Sequence, residues 1–437
     1  MEPYKEFFKG KRVTLMGLGL LGRGVGDAEF LASLGAKLTI TDLKSEVKLA
    51  HSLELLAGYP GIRYVLGEHR IEDFTDTDMV IKAAGVPLGS VHIEAAKQAR
   101  VPVYMSTALM AKFAREAGAT VVGVTGTRGK STISHFMYHA LVSSGRRAHL
   151  GGNIRGLSTL AMLPRVVPGD IVVLELDSWQ LQGFGGLCIS PQVSVFTNLM
   201  PDHLNYYPDM EAYFADKANI FRYQQPGDML VCGAAIQKKI ADARPPVPAH
   251  VPAPLPESWK LKIVGAHNRE NASLAAMALR ALGLDEKKIR KGLESFGGVE
   301  GRLQHLAIKR GVHIYNDNNS TTPEAVIAAL NALAPLYTTT LIIGGADKKV
   351  RLEALAHVIK QGAARVLLIP GTGTDNLKPL LKNYEEAADL SQALKLALQG
   401  AKPGEAIVFS PGFASFGQFA NEYDRNDTFV RAVKTLS

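Results

Sequence analysis

Apolar positions alternate along the chain between short, nearly continuous runs of strand length and longer stretches at helical spacing, with glycine-rich turns between them. Residues 12–16 form the first run, followed by Gly17-Leu-Gly19-Leu-Leu-Gly22, a helical stretch to about Leu34, and a second run, 37–41, that ends at Asp42. The segments 79–84 and 101–104 continue the alternation, and 114–119 reads as a short bridge. Residues 121–124 then run into a glycine-rich turn, after which Ile133, Phe136, Met137, Ala140 and Leu141 recur at helical spacing and Gly145 stands at a C-cap position. Buried strands are predicted at 170–174 and 193–196, and helices at 210–221 and 271–282. From about Gly298 the pattern restarts, with strands at 312–315, 339–343, 366–369 and 406–409 separated by helices at 323–333, 352–360 and 390–398. Such alternation predicts an α/β protein, and 437 residues exceed one ordinary core. Three domains are expected, at 1–112, 113–298 and 299–437.

The chemistry concentrates where strands end. In Thr125-Gly126-Thr127-Arg128-Gly129-Lys130-Ser131-Thr132 the glycines let the backbone approach a polyphosphate, and successive N–H groups and a helix N-terminus supply positive potential. Lys130 adds a point charge, and Ser131 can ligate Mg²⁺. Five residues rather than four separate Gly123 from Gly129, so the spacing departs from the common phosphate loop. Glu175 closes the strand at 170–174, where ligands of parallel sheets gather, and can hold a cation. His203 follows the end of another strand, and Lys217 lies on the helix after it. Asn268 and Asn271, one turn apart, read equally as helix caps or as ligand contacts. The turn at 17–22 with Asp42 is a dinucleotide-type fingerprint, open to NAD, to another nucleotide or to no ligand. The expected architecture is thus a Rossmann-like N-terminal domain, a central P-loop-type ATPase domain with a parallel-rich sheet, and a Rossmann-like C-terminal domain.

Composition narrows the partners. Apolar residues at 46% and charged residues at 21% are those of a globular enzyme. The net charge is +8, but the basic residues are scattered, which fits anionic small ligands and not nucleic acid. No apolar run reaches the roughly 18 residues of a membrane span, and the start lacks a signal peptide's features, so a cytoplasmic monomer without membrane insertion is expected. The two cysteines, Cys188 and Cys232, have no metal spacing.

Taken in order, Thr125–Ser131, Gly151-Gly-Asn153, Glu175-Leu-Asp-Ser-Trp-Gln-Leu181, Asp202-His203, Lys217, His267-Asn-Arg-Glu-Asn271, Gly301-Arg302, Asn316-Asp317, Gly344-Gly-Ala-Asp-Lys348 and Ser410-Pro-Gly-Phe-Ala-Ser415 resemble the Mur ligase family. The resemblance spans nearly the whole chain. It implies an ATP- and Mg²⁺-dependent amide ligase of peptidoglycan precursor synthesis, adding glutamate, the D isomer foremost, to UDP-N-acetylmuramoyl-L-alanine through an acyl phosphate. By that resemblance Gly126, Thr127, Gly129, Lys130, Ser131 and Thr132 hold the phosphates, Asn268 and Asn271 reach the adenine, and Arg302 and Asp317 meet ATP from the third domain. Ser131 and Glu175 would ligate one Mg²⁺, and His203 with a carbamylated Lys217 would serve a second. Lys130, Glu175, His203 and Lys217 form the implied catalytic set. Gly17, Leu18, Gly19 and Asp42 would bind the UDP end, Asn153 would face the muramoyl group, and Lys348 and Ser415 would grip the glutamate carboxylates.

Several positions depart from the family pattern. A lysine is expected where Asn319 stands, the usual Glu-Leu-Ser-Ser-Phe is Glu175-Leu-Asp-Ser-Trp179, Glu422 and Tyr423 follow Asn421 where an aromatic is usual, and Asn426 replaces a glycine after Arg425. These changes leave two alternatives open: the same ligase taking L-glutamate, and a nucleotide-binding paralogue without turnover.

Overall fold

The computed structural model describes residues 2–20, 22–203 and 206–436; Met1, Leu21, Leu204, Asn205 and Ser437 lie outside the described residues. Among the described residues three sheets form. The first joins β1 (Arg12–Met16), β2 (Lys37–Asp42), β3 (Arg63–Leu66), β4 (Met79–Lys82) and β5 (Val103–Tyr104) in the order β3-β2-β1-β4-β5, all parallel. The second is built from β6 (Thr120–Thr125), β7 (Ala148–Gly152), β8 (Ile171–Glu175), β9 (Val193–Phe196), β10 (Met229–Cys232) and β11 (Ala249–His250). Its order, β11-β10-β9-β6-β8-β7, is also wholly parallel. The third comprises β12 (Gln304–Lys309), β13 (Val312–Asn316), β14 (Thr339–Ile343), β15 (Arg365–Leu368), β16 (Glu385–Glu386) and β17 (Ala406–Phe409) in the order β12-β13-β17-β14-β15-β16, with only β12 antiparallel. The architecture is α/β with parallel-rich sheets, as the alternation predicts. Strands β8 and β14 are buried at every residue, which requires helices on both faces and explains why they read as continuous apolar runs.

The chain forms two compact units, Met1–Ala253 with Ser273–Gly292, and Pro254–Ala272 with Leu293–Ser437. The first unit carries the first two sheets and the second carries the third. A helix, Ser106–Glu116, runs into the first half of the expected bridge at 114–119, because Leu109, Met110, Phe113 and Ala114 pack into the core that both sheets of the first unit share. The helix predicted at 271–282 begins earlier, at Ala266, so Asn268 and Asn271 lie within its first two turns and not at a cap.

A buried carboxyl group joins the two sheets of the first unit. Asp27, on the helix Arg23–Ser33, accepts hydrogen bonds from Ser106 Oγ and, at 2.6 Å, from Ser158 Oγ. Burial raises its pKa to about 6 despite these two bonds. A folded-state pKa above the unfolded value stabilises the protein fully below the unfolded pKa, and this contribution is lost as pH rises through about 6. Relative to Asp27→Asn, wild type is therefore expected to lose on the order of 3 kcal/mol of unfolding free energy between pH 4 and pH 7. Urea titrations of both proteins at the two pH values measure this, and a difference that does not change with pH would refute it.

Candidate active site

The expected phosphate loop follows β6 at the carboxyl edge of the second sheet. Gly126 has φ +139°, and a Cβ there would overlap Thr197 Oγ1, so glycine is required. The loop is braced by the segment after β9. Asn198 Oδ1 accepts from the Arg128 backbone N–H at 2.9 Å, and Asn198 O accepts from Thr127 N–H at 3.0 Å. Thr127 Oγ1 accepts from Met200 N–H at 2.9 Å. Gly129 precedes the helix Lys130–Ser143 in left-handed geometry, and Ser131 and Thr132 lie in its first turn. The Lys130 ammonium donates to the carbonyls of Gly126 at 3.0 Å and Thr127 at 3.1 Å, folding back over the loop it is expected to serve.

Lys217 reaches the same loop from the helix Met210–Ala218, donating from Nζ to Gly126 O at 3.0 Å and standing 4.8 Å from the centre of the Tyr213 ring. Only 1% of Lys217 is exposed. Burial, reinforced by repulsion from Lys130, holds its pKa well below that of an ordinary lysine. Glu175, 3% exposed, ends β8 in register with Val124 and with Gly152 of β7. At Gly152 a side chain would overlap the Glu175 carbonyl, and φ is +87°. His203 has φ +55°, and its ring lies 4.7 Å from that of Trp179 and 6.1 Å from that of Tyr213. Burial lowers the pKa of His203 and Asp202 opposes the shift. Among the described residues no three His, Cys, Asp or Glu side chains converge on a metal position. Glu175 and Ser131 offer the carboxylate and hydroxyl oxygens that Mg²⁺ accepts, whereas an unmodified Lys217 offers none.

Residues not singled out from the sequence complete this region. Asp216 Oδ2 accepts from Gln182 Nε2 at 2.7 Å and from the Tyr207 hydroxyl at 2.9 Å, tying the Lys217 helix to the helix Ser178–Leu187 and to the segment after His203. Lys82, 1% exposed at the end of β4, donates to Val86 O at 2.9 Å. Burial lowers its pKa to about 8, against the attraction of Asp177 and Asp216. The signal was available at Lys82, an ionisable residue inside a strand that otherwise reads as buried.

The glycine turn of the first sheet is organised by Asp42, which accepts from Gly19 N–H and Lys44 N–H, both at 2.9 Å. Burial pushes the Asp42 pKa up, but these donors and the Lys44 ammonium more than reverse it, and the carboxylate is held below its usual range. Leu18, between Gly17 and Gly19, is 1% exposed and packs in the core of the first unit. Arg23 connects this turn to Asn153, donating from Nη2 to Asn153 Oδ1 at 2.9 Å and from Nε to Ile154 O at 3.0 Å. Gly17, Gly19 and Asn153 therefore belong to one neighbourhood of the first unit.

In the second unit, Lys348 donates to Thr321 Oγ1 at 2.9 Å. The Lys348 and Ser415 loops are joined by an antiparallel bridge, Ala346 to Ala414. Thr321 thus joins the residues expected to meet an amino acid. Asp317 is more enclosed than a nucleotide contact needs to be: it accepts from Leu303 N–H at 2.8 Å, Ser410 Oγ at 2.7 Å and Ser320 Oγ. Burial raises its pKa to about 6. Arg302 is exposed. Asn268 Nδ2 donates to Val264 O at 2.7 Å, and Asn271 Nδ2 donates to Asn268 Oδ1 at 3.3 Å, so part of their capacity is used internally.

Two family models match this chain, the Mur ligase middle domain over residues 124–247 and the Mur ligase glutamate ligase domain over residues 301–413. The UDP-N-acetylmuramoylalanine–D-glutamate ligase of Roseiflexus sp. (strain RS-1) is 34% identical, covering 98% of this chain and 99% of that protein. The ligase of the same name from Anaeromyxobacter dehalogenans (strain 2CP-C) is also 34% identical, over 97% of each chain. The chain belongs to the Mur ligase family. The crystal structure of UDP-N-acetylmuramate-alanine ligase from Thermotoga maritima shares its fold, with TM-score 0.63 at 17% identity over 98% of this chain and 100% of that one.

Two of the positions that depart from the Mur ligase pattern, Asn319 and Asn426, share a partner. Asn319 Nδ2 donates to Glu300 O at 3.3 Å, and Asn426 Nδ2 donates to Glu300 Oε1 at 2.8 Å, so both replaced positions meet one residue. Asn426 Oδ1 also accepts from Asn316 Nδ2 at 2.9 Å. Asp177 caps the helix Ser178–Leu187 reciprocally with Gln180, a task for which serine is also a favoured residue. Asn421 caps the helix Glu422–Thr435.

Proposed function

We propose that this Mur ligase joins D-glutamate to UDP-N-acetylmuramoyl-L-alanine, consuming ATP, as a step of cytoplasmic peptidoglycan precursor synthesis. The observation that carries the reading is the gathering of Lys130, Lys217 and the phosphate-loop carbonyls at the strand edge that also ends in buried Glu175. The names of full-length relatives support the choice of substrates. A substrate carboxylate oxygen would attack the ATP γ-phosphorus, breaking its bond to the β-phosphate oxygen and giving an acyl phosphate and ADP. The glutamate amine would then attack the acyl carbon, lose a proton and expel phosphate through a tetrahedral intermediate.

Both steps bring anions together, so the protein's task is to neutralise charge and to orient. Lys130 and the loop N–H groups would hold the β- and γ-phosphates. Ser131 and Glu175 would hold one Mg²⁺, and His203 with a carbamylated Lys217 would hold a second; such ions, when bound, would supply charge neutralisation at the transferring phosphate. The Gly17–Gly19 turn, organised by Asp42, would take the UDP end, with Arg23 orienting Asn153 toward the muramoyl group. Lys348, Thr321 and Ser415 would receive the glutamate carboxylates. Asn268 and Asn271 would face the adenine, and Arg302 and Asp317 the rest of ATP. The three sheets support a functional division at 1–112, 113–298 and 299–437.

Phosphate release from ATP, measured with UDP-N-acetylmuramoyl-L-alanine and either D- or L-glutamate, tests the proposal. Release is expected to depend on the D isomer, with the L isomer at least about tenfold less efficient. Preference for L-glutamate would reassign the amino acid, a reading that the changes at Asn319 and Asn426 keep in view. ATP binding without release on either isomer would establish a paralogue without turnover.

A further inference from the structure

The most enclosed cation of the second unit is not among the residues assigned above. Arg425, on the helix Glu422–Thr435, is 0% exposed. Its guanidinium donates from Nε to Asn318 Oδ1 at 2.8 Å, from Nη2 to Asn318 O at 3.0 Å and from Nη1 to Phe413 O at 3.0 Å. All three acceptors are neutral, and the nearest compensating charge is Glu422, one turn earlier on the same helix. An uncompensated buried cation is costly, and breaking its contacts leaves polar groups unpaired.

What it holds together gives the expense a purpose. Asn318 lies in the loop from the end of β13 that carries Asp317 and Thr321, and Phe413 lies in the loop from the end of β17 that carries Ser415. One backbone bond, Gly412 N–H to Ser320 O at 2.8 Å, joins these loops directly. The Ser410 Oγ bond to Asp317 joins them again, the guanidinium adds three further hydrogen bonds across the same gap, and the Ala346–Ala414 bridge extends the connection to the Lys348 loop. We propose that Arg425 is a positioning residue of the amino-acid subsite, its planar fork setting the Thr321 loop against the Ser415 loop while its charge makes the subsite attractive to an acidic amino acid. The inference rests on the reading of that region as the glutamate site.

Steady-state kinetics with each of the three substrates varied tests it, using Arg425→Met, Arg425→Lys and Asn318→Ala beside wild type. Arg425→Met is expected to raise the KM for glutamate by about tenfold or more, with kcat changed less than about threefold and the KM values for ATP and the UDP-linked substrate unmoved. Arg425→Lys keeps the charge without the fork and should lie between, because lysine cannot reproduce the planar contacts. Asn318→Ala removes one clamp acceptor and should raise the glutamate KM in the same direction, which decides the matter if Arg425→Met does not fold. Unchanged glutamate KM in the folded variants, or equal rises for all three substrates, would overturn the role of Arg425. If wild type releases no phosphate in response to glutamate, the reading of the site fails instead.

Discussion

Lys130→Ala is expected to lower kcat for phosphate release on the order of 10³-fold while leaving the fold intact. The magnitude is that of removing one preorganised donor from a site where charge develops. The ammonium donates to the Gly126 and Thr127 carbonyls, so it is gathered at the position where phosphate oxygens would take over from those acceptors. Its removal takes away hydrogen bonds worth about 1 kcal/mol each and leaves Gly126 O still paired with Lys217, so the thermal midpoint should move little. Removing it also relieves the repulsion that helps to depress the Lys217 pKa. Phosphate release and thermal unfolding of the same preparation give the two readings. A folded variant within about tenfold of wild type would show that the loop is not the catalytic phosphate site.

Substitution of Lys217 should cost activity on a similar scale while sparing stability. A nearly unexposed amine whose pKa burial and repulsion from Lys130 hold well below that of an ordinary lysine is a nucleophile in waiting. Its nitrogen can add to the carbon of dissolved CO₂ and lose a proton, leaving a carbamate that exchanges a cation for an oxygen ligand. Lys217→Met is therefore expected to lose on the order of 10²-fold or more in kcat, yet to unfold at the same temperature as wild type or higher, since a buried ionisable group is replaced by an apolar one of similar length. Carbon-13 NMR after equilibration with labelled bicarbonate should show a carbamate signal in wild type and none in the variant. Wild type that loses nothing when stripped of CO₂, and shows no such signal, would exclude carbamylation. A large fall in the thermal midpoint of Lys217→Met would instead mean that the amine is structurally required.

The order of strands and helices was legible because burial on both faces of a parallel strand demands an unbroken apolar run, as in β8 and β14, and because helical spacing marks the Lys130–Ser143 face. Strands that the pattern does not show, such as β3 and β16, are short or built from charged residues at a sheet edge. The phosphate loop and Glu175 stand out because glycines and a carboxylate at strand ends break an apolar background, whereas Lys217, on the helix Met210–Ala218, was singled out by the family resemblance alone. Periodicity says which way a side chain faces but not what it meets. It could not reveal that Leu18 points into the core, that Asp42 is engaged by the Gly19 and Lys44 amides, or that Asp317 is enclosed by two serines and the Leu303 amide.

By itself, then, the amino-acid order determined the α/β class, the position of the phosphate loop and the family to which its motifs point. Tertiary structure alone decided the electrostatic state of the site. Lys217 is a depressed amine only because the Met210–Ala218 helix buries it against Gly126, and Arg425 reaches Asn318 only because the Glu422–Thr435 helix, which places it 107 residues further along the chain, folds back beside that loop. Desolvation and hydrogen bonding act between neighbours in space, and no local pattern of residues records them.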